Sequence, residues 1–288
     1  MFDSSFHMNK ILVTGSNGFI GGHILRTLSR YGYAVCGCGR GENKNQGIPY
    51  LRANLAEGFQ CNINFDLIIH AAARSPEASF EEYFFDNVIG TQNILDFAKQ
   101  NSVRKIVYLS AVSSFGRVDK VLSEESPHDS PGDYGLTKYM AEKLICNSGL
   151  DYDIYILPGV VGMGCNNPYI VRLAESLYQW HDVYCYNSEG IFNNVLLVSD
   201  LSRFLLHRLE TDNAKDVFLL GCTEHISVHD MVSSLMENLH SSSKIELVPE
   251  VRGGFYLNTQ KALNAGFVST SFADIITIVC NEVRRRLK

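Results

Sequence analysis

Thr14-Gly15-Ser16-Asn17-Gly18-Phe19-Ile20-Gly21 follows the apolar run Lys10-Ile11-Leu12-Val13, which has the character of a short buried strand. Beyond it, Ile20, Ile24, Leu25 and Leu28 recur at helical spacing, which predicts a helix over 19–30. In that context the three glycines have separate uses. Gly15 permits a tight turn, Gly18 lets backbone approach a pyrophosphate, and Gly21 lets helix and strand pack closely. The first N–H groups of a helix have no partners within it and suit an anion. Glycine-rich turns occur in many loops, but a strand before and a helix after are what the phosphate-binding reading requires. Gly15, Asn17, Gly18, Phe19, Ile20 and Gly21 are therefore assigned to a dinucleotide.

Working outward, strands are expected over 33–38, 65–70, 105–109 and 153–157, with helices over 80–100 and 134–146. Strands alternating with helices imply an α/β fold, a Rossmann-type doubly wound parallel sheet with helices on both faces. After Pro158 the pattern loosens. Helices near 169–179 and 228–240 surround strands near 217–220 and 245–248. This part is read as a smaller C-terminal substrate-binding lobe. The expected division is 8–160 for the dinucleotide-binding domain and 161–288 mainly for the lobe, with 216–220 a candidate to return to the main sheet. The first seven residues lack a signal-peptide pattern, and Met8 is a second candidate for the natural start.

Composition narrows the partners. The 288 residues are 45% hydrophobic and 19% charged, with net charge −6. Nothing in that balance favours a nucleic-acid backbone. No apolar run reaches the roughly 20 residues of a membrane helix, so no membrane partner is expected. Of eight cysteines only Cys36 and Cys38 are close, and no CxxC or Cys/His metal spacing occurs. Reduced thiols in a cytoplasmic protein, and no metal, are the expectation. The basic end, 284–288, suits the C-terminal end of a helix dipole.

The end of the second strand bears on the cofactor. A carboxylate there would accept from the adenine ribose 2′-hydroxyl. The chain has Cys38-Gly39-Arg40 instead. Arg40 could pair with a 2′-phosphate, so NADP is expected in preference to NAD, with NAD the alternative.

Tyr134-Gly135-Leu136-Thr137-Lys138 opens the helix expected over 134–146. Residues four apart share a helix face, so Tyr134 and Lys138 point the same way. A nearby ammonium is expected to lower the tyrosine pKa and make it an acid/base near neutral pH.

At this point the chain resembles the extended short-chain dehydrogenases/reductases, in the nucleotide-sugar epimerase/dehydratase/reductase branch. The likeness covers about 10–266. Its carriers are the turn over 14–21, His70-Ala71-Ala72, Asn87-Val88-Ile89-Gly90-Thr91-Gln92-Asn93, the stretch 110–116, Tyr134 with Lys138, and 158–162. The resemblance implies that Tyr134 exchanges a proton with a sugar oxygen and that Lys138 holds the nicotinamide ribose. It implies adenine contacts at Asn54 and Leu55, and a cofactor cleft lined by Ala71, Ala72 and Ala73, with Ser110. Asn87 would sit behind the nicotinamide, and Pro158 to Val160 would pass its amide. It further implies a homodimer through the helices 87–100 and 134–146.

Three departures from the family pattern matter. The Ser or Thr usually found five residues before Gly116 is Ala111, whose methyl cannot hydrogen-bond a reacting oxygen. Ser113 is the candidate replacement, if the segment is extended so that alternate residues face one way. The Asp-Glu pair of sugar 4,6-dehydratases is replaced by Val112 and Ser113, which argues against dehydration. The usual Arg-Asp-Phe of the substrate lobe is Asn193-Asn194-Val195. Asn193, Arg252 and Arg74 are the remaining candidates for a substrate diphosphate. His70 is read as a hydrogen-bonded core histidine, and Trp180, Tyr178, Tyr184 and Tyr186 as packing residues.

The leading expectation is an enzyme reducing a nucleotide-linked keto-sugar. The alternatives are an NAD-dependent nucleotide-sugar 4-epimerase and, from another class, a non-catalytic dinucleotide-binding sensor or scaffold.

Overall fold

Ile11, Leu12 and Val13 have no exposed surface, and the sheet is built outward from them. The computed structural model describes residues 10–74, 77–165, 168–211, 215–249 and 254–288. In chain order its elements are β1 (Lys10–Thr14), α1 (Phe19–Arg30), β2 (Ala34–Gly39), β3 (Tyr50–Arg52), β4 (Leu67–His70), α2 (Phe80–Tyr83), α3 (Gly90–Gln100), β5 (Lys105–Ala111), β6 (Val121–Leu122), α4 (Asp133–Cys146) and β7 (Asp151–Leu157). There follow β8 (Gly159–Val161), α5 (Tyr169–Tyr178), β9 (Val183–Tyr186), β10 (Ile191–Phe192), β11 (Val195–Leu197), α6 (Val198–Glu210), β12 (Asp216–Leu219), β13 (Ile226–Ser227), α7 (Val228–Leu239), β14 (Ile245–Val248), β15 (Tyr256–Leu257), α8 (Gln260–Asn264) and α9 (Phe272–Leu287).

Seven strands form the main sheet in the order β12-β7-β5-β4-β1-β2-β3. β1 pairs in parallel with β2, Leu12 opposite Cys36, and with β4, Val13 opposite Ile69. Strand order reverses between β1 and β4. In a doubly wound sheet that switch point opens a crevice at the carboxyl ends of the strands. The glycine turn leaves β1 there, and Ala71-Ala72-Ala73 leave β4 there.

The helix expected over 80–100 is interrupted. Ser79 and Glu82 form a capping box at the start of α2. A π turn over Phe84–Ile89 then separates α2 from α3. π turns insert one residue into a helix and so re-aim the side chains they carry. Asp86 and Asn87 lie in this one. β5 runs two residues past its expected end, and the short edge strand β3 had no alternating pattern to announce it.

Two compact units are present. The first comprises the chain up to Gly116, His128–Ile156 and Arg208–Val217; the second comprises Arg117–Pro127, Leu157–His207 and Phe218–Lys288. The chain first enters the second unit at Arg117, leaves it at His128 and re-enters it at Leu157, so segments of each unit interrupt the other. β12 completes the main sheet. Within the first unit, Asp153 is almost wholly buried and accepts from Arg208 twice, at 3.2 Å each, and from Lys105 at 3.1 Å. A buried carboxylate is tolerable only when so compensated.

Within the second unit α5, α7 and α9 pack on one another through apolar stripes that include Val171, Leu177, Leu235, Ile275 and Val279. The parallel pairs β8–β11 and β9–β14 flank them in sequence. The run 284–286 lies in the last turn of α9, where cations offset the exposed carbonyls. All eight cysteines are free thiols. Burial pushes Cys36 up to about 11 and Cys38 up to about 12, which keeps both protonated and unreactive at neutral pH.

Candidate active site

Gly15 has φ +65°, and a Cβ there would stand 2.7 Å from the Ala71 carbonyl oxygen and from the Ala72 backbone. A Cβ on Gly21 would collide with the Gly15 carbonyl. The two glycines are thus required by the approach of β1, α1 and the segment after β4. Gly18 precedes α1, which has no side-chain cap and no acidic residue in its first turn. A bare, uncharged helix start beside a glycine cradle fits a pyrophosphate.

A cavity of about 380 Å³ opens against this turn. Gly15, Asn17, Gly18, Arg40, Asn54, Leu55, Ala71, Ala72 and Ala73 all line it. Phe19, Ile20 and Gly21 lie behind it in α1. Two further lining residues carry charge, Lys44 and Asp86. Neither sits in a recognisable motif; each arrives through a loop or turn whose path only tertiary packing sets.

Several side chains in this wall are committed to the wall itself. Asn17 donates to the Glu42 carbonyl at 2.8 Å and to the Tyr50 hydroxyl at 2.9 Å, and accepts from Lys44 N at 3.0 Å. It fastens the loop after β2 to the glycine turn. Asn54 caps the 3-10 turn over Leu55–Glu57, accepting from Ala56 N and donating to Glu57 at 2.8 Å. Arg40 pairs with Asp86 at 3.0 Å. Arg74 is outside the cavity lining and pairs with the same Asp86 oxygen at 2.8 Å.

His70, at the end of β4, shares hydrogen bonds with Thr14 at 2.7 Å and Thr91 at 3.0 Å. Full burial, with the Lys138 charge added, pushes its pKa down to about 3, so it is a neutral structural ring.

From this wall the site continues to α4 through Asn87. Its amide donates to Thr137 at 3.0 Å and its oxygen accepts from Arg74 N at 2.8 Å. Thr137 in turn donates to the Tyr134 carbonyl at 2.9 Å. Tyr134 packs edge-on to Tyr83, ring centroids 5.6 Å apart. Lys138 is buried; its Nζ donates to the Leu109 carbonyl at 2.7 Å and lies 4.2 Å from the centre of the Tyr108 ring. The Tyr108 hydroxyl is buried with no hydrogen-bond partner.

The expected lowering of the tyrosine pKa is not what these surroundings give. Burial, with a small addition from Tyr83, raises Tyr134 to about 12. Burial lowers Lys138 to about 7, opposed by the Glu142 carboxylate. Desolvation outweighs attraction here because the ammonium is turned to the Leu109 carbonyl and the Tyr108 face.

Ser110 is buried and donates to Glu142, one turn beyond Lys138. Ala111 ends β5, and a 3-10 turn follows over Val112–Phe115. The extended segment on which the reading of Ser113 depended is therefore absent. Ser113 is nonetheless exposed, and its carbonyl lies so close to Gly135 that a Cβ there would collide with it. The serine turn thus packs on the start of α4, beside Tyr134.

In the second unit Pro158 lies between β7 and β8, and Val160 is buried in β8 opposite Leu196. Asn193 is fully buried. Its amide donates to the Cys222 carbonyl at 3.1 Å and the Leu257 carbonyl at 2.9 Å, and its oxygen accepts from Leu257 N at 2.8 Å. With both donors used inside the unit, the expectation of a substrate contact at Asn193 gives way to a structural role. Trp180 and Tyr184 are exposed rather than packed. Arg252 lies outside the described residues. Among the described residues no three His, Cys, Asp or Glu side chains are grouped to hold a metal, and no helix is long and apolar enough to cross a membrane.

The chain is 28% identical to a 2-alkyl-3-oxoalkanoate reductase of Stenotrophomonas maltophilia over 59% of its own length and 56% of the reductase, so it spans little more than half of that relative. It is 27% identical to a UDP-glucuronate 4-epimerase of Thermodesulfobacterium geofontis, over 93% of this chain and 88% of that one. Among solved structures, MoeE5 in complex with UDP-glucose and NAD superposes with TM-score 0.81 at 25% identity, covering 97% of this chain and 100% of MoeE5. A UDP-glucuronic acid 4-epimerase from Bacillus cereus in complex with NAD shares the fold, TM-score 0.83 at 21% identity, covering 97% and 100%. The model of the NAD-dependent epimerase/dehydratase family matches residues 11–221, most of the chain, and the protein belongs to that family.

Proposed function

We propose that the protein is a dinucleotide-dependent oxidoreductase that reduces a nucleotide-linked keto-sugar. The observation that carries this is the hydrogen bond from Asn87, next in the chain to the cavity-lining Asp86, to Thr137 in the turn of α4 between Tyr134 and Lys138. Binding site and proton-transfer pair therefore belong to one connected structure. Hydride is the chemistry that a bound reduced dinucleotide supplies. Tyr134 gives its proton to the carbonyl oxygen as negative charge develops there. A phenol held protonated by burial is in the state this role needs. Lys138 is fixed at one N–H by Leu109 and offers its remaining N–H groups to ribose hydroxyls. Ser113, exposed beside the start of α4, offers a hydroxyl to the same oxygen in place of Ala111.

NADP is the proposed cofactor, read by Arg40 at the end of β2, where no carboxylate occurs. Phe80 and Phe85, large apolar side chains left exposed at α2 and the π turn, support a homodimer through this face. A 4-epimerase is the second reading, supported by the relatives that carry that name.

Purified protein, assayed for bound cofactor and then mixed with NADPH and a panel of nucleotide-linked keto-sugars, tests these readings. Loss of NADPH absorbance with one of them is the expected result. Tightly retained NAD, with interconversion of sugar epimers and no net cofactor use, would replace the reductase by the epimerase. Cofactor binding without turnover of either kind would replace both by a sensor.

A further inference from the structure

The carboxylate missing from the end of β2 is supplied from elsewhere in the chain. Asp86, in the π turn before α3, lines the same cavity as Arg40 and pairs with it at 3.0 Å. Its side chain is only 14% exposed, and the same oxygen also meets Arg74 at 2.8 Å. Arg40 is half exposed and engages Asp86 through one of its five N–H donors. The acid and the base of the cofactor-reading corner are thus paired with each other.

We propose that Asp86 is a specificity-determining residue that restrains the preference for a 2′-phosphorylated dinucleotide. The inference rests on the reading of Arg40 given above. A 2′-phosphate brought to Arg40 must share its guanidinium with the Asp86 carboxylate, and the two anions repel in a cleft of reduced dielectric. A 2′-hydroxyl is neutral and carries no such penalty. Asp86 therefore weakens NADP binding and leaves NAD binding nearly unchanged. The π turn matters here, because it sets which face of this helical run presents Asp86 to the cavity.

Fluorescence titration of NADPH and NADH against the full chain tests this, using Asp86→Asn, Asp86→Ser and Arg40→Gln. Both Asp86 variants are expected to raise the ratio of Kd for NADH to Kd for NADPH by about tenfold, with Kd for NADH changing by less than about threefold. Arg40→Gln is expected to lower that ratio towards one. If Arg40→Gln lowers the ratio and both Asp86 variants leave it unchanged or lower it, Asp86 does not restrain the preference although Arg40 reads the phosphate. If Arg40→Gln leaves the ratio unchanged, the reading of Arg40 itself is overturned. Equal weakening of both dinucleotides by the Asp86 variants would make Asp86 a structural residue and overturn the inference.

Discussion

Asn87 donates to Thr137 across 50 residues of sequence, at 3.0 Å, and neither side chain is exposed. The bond joins two segments that the resemblance assigns to different tasks, the cofactor wall and the catalytic helix. Asn87→Ala leaves Thr137 Oγ1 and Arg74 N without their partner. Loss of about 1–3 kcal/mol of stability is expected. Turnover should fall at least tenfold once Tyr134 is no longer registered to the cavity. Denaturant unfolding and steady-state kinetics measure the two effects; unchanged kcat would separate the wall from the helix.

How much of this was readable beforehand follows from the range of each interaction. The glycine turn was legible because its three glycines, strand and helix are contiguous, and Tyr134 and Lys138 because one helix fixes their spacing. The π turn was not legible: periodicity over 80–100 does not register a single inserted residue. Nor was the Arg40–Asp86 pair, whose members lie 46 residues apart. The bonds of Asn193 were not legible for the same reason, since its partners Cys222 and Leu257 are 29 and 64 residues away. The Tyr134 pKa was reversed because helical spacing places an ammonium nearby but says nothing of how deeply both groups are buried.

His70 makes stability depend on pH. Its folded pKa is about 3 against an ordinary 6.5, so between those values the unfolded chain binds a proton that the native state refuses. The contribution is fully present above pH 6.5 and is lost as pH falls towards 3, at up to about 1.4 kcal/mol per pH unit. Unfolding midpoints measured below pH 6.5 should fall less steeply for His70→Asn than for the wild type. Parallel profiles would show that His70 is not the group being titrated.

Asn193→Ala strands two carbonyls and one N–H in the core of the second unit. A loss of about 2–4 kcal/mol is expected. The change should leave dinucleotide affinity within a few-fold, because the Asn193 amide serves packing. Stability unaltered in urea titration, with substrate KM raised, would return Asn193 to the substrate site.

Ser113→Ala tests whether the exposed serine of the 3-10 turn stands in for Ala111. Removing one donor to a developing oxyanion costs on the order of 10²–10³ in kcat, and a loss of that size is the expected result. An unchanged kcat would reject the role.

Tyr134 is proposed as the proton donor to a substrate reduced beside the glycine-turn cavity. Tyr134→Phe keeps the ring against Tyr83 and removes only the hydroxyl. Turnover of NADPH with the accepted keto-sugar, measured beside the NADPH Kd of the same sample, tests it most directly. Turnover below detection, with Kd within a few-fold of the wild type, is the expected result. Turnover within tenfold of the wild type at unchanged Kd would contradict it.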